Sequence, residues 1–231
     1  MSVRHVFYLN LDRCPERNQY YQNLTLPKSY AGARLVRWPA IDGHQLSEEA
    51  CQPMISMWTI RPEHHRAKMG CYLSHCAVLR HLVEHQLDRV LILEDDAELR
   101  EVEVPSEVAS LTGVCFFGGW ATSRKVCDQG NPLDFLPPES PSAPSQIHRI
   151  PEDAPYRILQ SRAYYLPTAQ VAADLLTWLE SHHRVRAYDI MLCRFPQTRF
   201  FMYPALVTNR LGEVSSRDGR TRNCQDLLCY R

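Results

Sequence analysis

Residues 90–93 read Val-Leu-Ile-Leu, an unbroken aliphatic run that passes directly into Glu94, Asp95 and Asp96. So short and apolar a run suits a strand buried on both faces, as in sheets covered by helices on either side. The preceding stretch, GCYLSHCAVLRHLVEHQL (70–87), sets Tyr72, Cys76, Leu79 and Val83 at spacings of four, three and four, the stripe of an amphipathic helix. Helix followed at once by buried strand is the unit of an α/β fold.

The same alternation recurs along the chain. VRHVFYLNL (3–11) is β-branched and aromatic and stops at DRCPERN, where Pro15 fits the first turn of a helix through Tyr20 and Tyr21. ARLVRWPAIDG (33–43) is a second apolar run, closed by the Asp42-Gly43 turn signal. GVCFFGGW (113–120) reads as a further strand, YRILQSRAYYLP as one or two, and RFFMYPALV (199–207) as a last strand broken by Pro204. TAQVAADLLTWLESHH reads as a helix opened by Thr168 and apolar at Val171, Leu175 and Leu179.

Residues 128–155 hold seven of the 16 prolines, which predicts a long surface loop without helix or central strand, serving as a lid or as a tolerated insertion. The expected architecture is one α/β domain over 1–231, with a mostly parallel central sheet and helices on both faces. Its ligand crevice lies at the carboxyl ends of the strands.

Composition narrows the function. The chain has 26 basic and 26 acidic residues, so bulk charge does not favour nucleic acid or another polyanion. No apolar run reaches the ~20 residues of a membrane span, and the first residues lack a signal peptide's apolar core, so a soluble, cytoplasmic protein is expected. Peripheral membrane association and oligomeric state stay open. Nine cysteines, an odd count with no C-x-x-C pair, argue against a zinc ribbon or redox motif and for reduced, mostly buried thiols. Pairing of Cys224 with Cys229 is left open.

Three adjacent carboxylates repel one another unless water solvates them, cations neutralise them, or a metal uses them. Alternate residues of an extended segment point the same way, so Glu94 and Asp96 can face one divalent cation while Asp95 turns elsewhere. A solvated acidic turn is the competing reading. His81 and His85 stand at i, i+4, a spacing that can bind zinc, but with no acid from the metalloprotease motif beside them they read as a wet helix face.

In register, FYLNLDRCPERN, PAIDG, MGCYLSHCAVLRHLVEH and LILEDDAEL closely resemble glycosyltransferase family 25, the lipooligosaccharide and procollagen galactosyltransferase group. SRAYYLPTAQVAADLL and RAYDIML resemble later elements of that family, more weakly beyond residue 120. QSRAYY departs from the family's usual Gly-Thr-x-Ala-Tyr, and Cys14 stands at a position where the family prefers a small hydroxyl residue.

The resemblance implies a GT-A type fold, a UDP-sugar donor, Mn²⁺ or another divalent cation, and inverting transfer of a hexose, galactose ahead of glucose. The acceptor would be a hydroxyl of a glycan, a lipooligosaccharide or a hydroxylysine-type residue. Glu94 and Asp96 take the place of the metal-binding acids. Asn10, Arg13, Arg17, Asp42, Ser74, His75 and Asp95 fall on the donor side, with Asp42 also serving its turn. An arginine donates paired hydrogen bonds to phosphate, although a surface ion pair with Glu16 would also occupy Arg17. Asp189 is the expected base for the acceptor hydroxyl, or else an ordinary helix cap. A non-catalytic sugar-nucleotide or glycan-binding domain and a metal-assisted phosphoesterase are the alternatives.

Overall fold

The computed structural model describes residues 2–54, 62–118, 120–123, 145–150, 152, 156–159, 162–203 and 205–209. In chain order these form β1 (His5–Asn10), α1 (Pro15–Gln22), β2 (Arg34–Pro39), α2 (Glu48–Cys51), α3 (Pro62–Glu84), β3 (Val90–Glu94), β4 (Ala97–Leu99), β5 (Val114–Phe116), β6 (Trp120–Ser123), β7 (Gln146–Ile150), β8 (Tyr156–Leu159), β9 (Ala163–Leu166), α4 (Ala169–Glu180), α5 (Tyr188–Arg194), β10 (Arg199–Tyr203) and β11 (Val207–Asn209). Seven of the strands make one sheet, in the order β2-β1-β3-β9-β5-β10-β7.

The period-two pattern of the strands sorts their side chains onto two cores. Val90 and Ile92 of β3, with Phe7 and Leu9 of β1, pack on one face against Leu79 and Leu82 of α3 and Leu175 and Leu179 of α4. Leu91 and Leu93, with Val6 and Tyr8, pack on the other face against Tyr21 of α1, Tyr30 and Val108. All four apolar residues of β3 are fully buried, as expected of a strand covered on both sides. The stripe of α4 is buried at Val171, Leu175 and Leu179, and the Thr168 hydroxyl caps the helix by accepting from the Val171 N–H at 3.3 Å.

Two expectations are corrected. The sheet is mixed: β1 pairs in parallel with β2 and β3, and β5 with β10, but β9 runs antiparallel to both β3 and β5, and β7 antiparallel to β10. An apolar run carries no sign of strand direction. Direction is set by the connections, and β9 enters between β3 and β5 only after a long excursion from Phe116 to Ala163. The second correction falls in the Pro-rich stretch, where Gln146–Ile150 forms β7. That segment contains no proline and lies at the sheet edge, where the neighbouring prolines need no central ladder. The rest of 128–155, apart from Ser145 and Glu152, lies outside the described residues, as do Cys224 and Cys229.

Among the described residues six cysteines form no disulfide, and four of these are buried. No described helix is long and apolar enough to cross a membrane.

Candidate active site

β1 lies between β2 and β3, so the connections leaving it and returning to the sheet part to opposite sides. Such a switch in strand order opens a crevice beyond the carboxyl ends of the strands. The cleft there is lined by Arg13, Arg17, Asp42, Lys68, Cys71, Ser74, His75, Glu94, Asp95, Asp96, Tyr188 and Asp189, among others. Of the ten site residues expected from sequence, only Asn10 is not part of its wall.

The triple acid is a turn. β3 ends at Glu94, Asp95 and Asp96 form the bend, and β4 starts at Ala97. The side-chain alternation of an extended segment therefore stops at Glu94. Glu94 and Asp96 both still line the cleft.

Asp95 is held from behind. Its carboxylate accepts from Arg17 at 2.5 Å and from the Asn10 amide at 2.9 Å, with Arg17 only 3% exposed. Burial pushes the Asp95 carboxyl above its ordinary value, against the opposing pull of Arg17 and Asn10. The Asn10 amide also donates to the Cys14 carbonyl at 3.1 Å and accepts from Arg37 Nε at 3.0 Å. Asn10 is fully buried, and its side chain joins the ends of β1, β2 and β3. Arg17, expected on the donor side with a surface pair to Glu16 as the competing reading, makes a buried pair with Asp95. The α1 residue Tyr21, stacked on Tyr8 at 4.2 Å, donates its hydroxyl to the Ala97 carbonyl at 2.7 Å and pins the far side of the turn.

On the opposite wall, the Asp42-Gly43 turn sits against α3 at backbone distance. A Cβ on Gly43 would lie 1.9 Å from the Arg66 carbonyl oxygen, and one on Gly70 would lie 2.6 Å from the Gly43 nitrogen. Only glycine fits at either position. Ser74 completes the joint, donating to the Gly70 carbonyl at 2.6 Å and accepting from the Ile41 N–H at 2.8 Å. Asp42 accepts from the His44 N–H at 3.0 Å and from Arg13 Nε at 2.7 Å. Burial would raise the Asp42 carboxyl, but these two donors outweigh it and hold it below its ordinary value. Gly70→Ala gains helix propensity of up to about 1 kcal/mol, yet its methyl meets unyielding backbone. The net result expected in urea unfolding is a loss of about 1–3 kcal/mol.

His75, one residue on, forms the cleft floor. Its ring stacks on Tyr188 at 3.8 Å, and its Nδ1 lies 2.9 Å from the Tyr164 hydroxyl, which accepts from Tyr188 at 2.9 Å. This stack brings the start of α5 to the cleft, with Asp189 in its first turn. The Asp189 carboxylate accepts from the Ile190 N–H at 2.8 Å. The residue preceding α5, Ala187, supplies no side-chain cap.

Burial pushes the His75 pKa down to about 3. In the unfolded chain it returns to about 6.5. Protons therefore bind the unfolded state preferentially between these values, and stability falls as pH drops from about 6.5 toward 3. The expected slope from this group is about 1.4 kcal/mol per pH unit. His75→Gln should lose that part of the pH dependence of unfolding in chelator-treated protein, and equal slopes would contradict a neutral buried ring.

Sequence reasoning missed Lys68, Cys71, Tyr164 and Tyr188. Cys71 and His75 share a helix face at i, i+4, a readable spacing. The other i, i+4 pair, His81 and His85, instead lies with tilted rings 4.1 Å apart, and the His81 ring is 4.9 Å from Trp38.

Fold and cleft together define an α/β protein with a charged cleft at the switch of strand order. Residues 3–110 match the family described as glycosyltransferase family 25 (LPS biosynthesis protein). Proteins called glycosyltransferase 25 family member from Drosophila pseudoobscura pseudoobscura and Drosophila melanogaster are each 37% identical over 103 residues, 42% of this chain and 16% of the relative. One of the same name from Aedes aegypti is 30% identical over 128 residues, 52% of this chain and 20% of the relative. The matched stretch thus spans about a fifth or less of these relatives. The likeness to glycosyltransferase family 25 thus rests on residues 3–110. That segment carries every expected site residue except Asp189.

Proposed function

We propose that the chain is a metal-dependent, inverting glycosyltransferase of GT-A type. It moves a hexose, galactose ahead of glucose, from a UDP-sugar to a hydroxyl of a glycan, a lipooligosaccharide or a hydroxylysine-type residue. The observation that carries this reading is the meeting of Glu94, Asp96, Arg13, Lys68 and Asp189 in one cleft at the ends of β1 and β3.

The donor set fits a hard divalent cation such as Mn²⁺, because Glu94 and Asp96 offer carboxylate oxygens and leave other positions for phosphate and water. When bound, such an ion neutralises charge on a departing diphosphate. Arg13, paired with Asp42, and Lys68 line the same cleft and offer positive charge toward developing phosphate charge. Asp189, in the first turn of α5 and lining the same cleft, accepts the proton of the acceptor hydroxyl as the sugar carbon is attacked. Arg17, Asn10 and Asp95 work differently, as the strut that keeps the acidic turn in position.

The test is UDP release from UDP-galactose and UDP-glucose with Mn²⁺, with and without EDTA. Release that needs the metal supports the reading. Tight UDP binding without release would favour a binding domain, and hydrolysis of a phosphate monoester alone would favour a phosphoesterase.

A further inference from the structure

The carboxylate pair is not the whole metal-binding potential of the cleft. One atom each from Cys71, His75 and Glu94 lie within 4.8 Å of one another, a thiol, an imidazole and a carboxylate converging from α3 and the end of β3. We propose that these three residues form a second cation site, selective for zinc-class ions. It overlaps the proposed donor-metal site at Glu94.

Zinc takes about 2.0–2.3 Å bonds to sulfur, nitrogen and oxygen, so tetrahedral ligand atoms stand roughly 3.3–3.8 Å apart. Reaching that spacing from 4.8 Å asks for a shift of about 1 Å, which rotation of the Cys71 and Glu94 side chains would supply with His75 fixed. His75 is the natural anchor, since its ring is clamped by the Tyr188 stack and its Nδ1 faces the Tyr164 hydroxyl. A ligating histidine commonly donates its second ring N–H to such a partner; with the Tyr164 and Tyr188 hydroxyls reversing their hydrogen bond, His75 Nδ1–H donates to Tyr164 and Nε2 is left for the metal. Three protein ligands leave the fourth position to water or an incoming oxygen.

Binding requires the Cys71 thiol to give up its proton to solvent, with the thiolate taking its place on the ion. Thiolate and imidazole favour zinc or cobalt over manganese, whereas Glu94 with Asp96 favours manganese. An ion held by the trio occupies Glu94 and withdraws it from the carboxylate pair. Zinc should therefore compete with manganese in this cleft. The competition rests on the donor-site reading, but the second site itself does not.

The test uses the full chain, stripped by chelator and titrated with Co²⁺. The expected result is the near-ultraviolet thiolate-to-cobalt charge-transfer band, absent in Cys71→Ala, whose exposed position makes misfolding an unconvincing cause once circular dichroism matches. The band should weaken in Glu94→Gln and survive in Asp96→Asn. Tyr164→Phe should lower zinc affinity about tenfold, measured against a chelating dye. Absence of the band at saturating cobalt, its persistence in Cys71→Ala, or indifference to both Glu94→Gln and Tyr164→Phe would overturn the site. UDP release is read separately, so failure of the donor reading leaves these spectra unchanged.

Discussion

Asp95→Ala is expected to destabilise the protein by about 3–5 kcal/mol, a large part of the 5–15 kcal/mol that holds a typical domain folded. The substitution leaves the Arg17 guanidinium buried without its carboxylate, and it deprives the Asn10 amide of one acceptor. A buried charge that loses its partner costs far more than the pair contributed, because its desolvation is no longer offset. The pair itself need not be strongly stabilising. Asp95→Leu combined with Arg17→Met should therefore recover most of the loss in urea unfolding. A loss below about 1 kcal/mol for Asp95→Ala would mean that water reaches the pair, as at a surface salt bridge.

The second large effect is on turnover. Asp189→Asn removes the proposed proton acceptor while keeping the shape of the start of α5, and kcat should fall about 10²–10⁴-fold with little change in UDP affinity. A helix-supporting role alone would cost stability and leave kcat nearly intact. An unchanged kcat would move the base to another residue.

Much of this framework was legible in the sequence because it is written in local pattern. Val90–Leu93, the stripe of α3 and the Thr168 cap are each specified within a few residues, and each appears where the pattern puts it. The antiparallel insertion of β9 and the pairing of β7 were not legible, since both depend on contacts between segments far apart in the chain. The site shows the same division. Three adjacent acids announce that something must answer their repulsion. Only the fold reveals the different answers, with Asp95 neutralised by Arg17 behind the turn and Glu94 and Asp96 facing the cleft. Ser74 looked like a donor-side residue, and its hydroxyl is engaged in joining α3 to the turn at Asp42. Cys71 carried a readable spacing that gained meaning only when Glu94 arrived beside it.

The central claim is that Glu94 and Asp96 hold a divalent cation that in turn holds a nucleoside diphosphate. Electron paramagnetic resonance of free Mn²⁺, titrated with protein in the presence and absence of UDP, reads it directly. The account predicts that UDP tightens manganese binding to the wild-type chain and that Asp96→Ala abolishes this tightening while the protein stays folded. Manganese binding that is unaffected by UDP, or equally strong in Asp96→Ala, would contradict it.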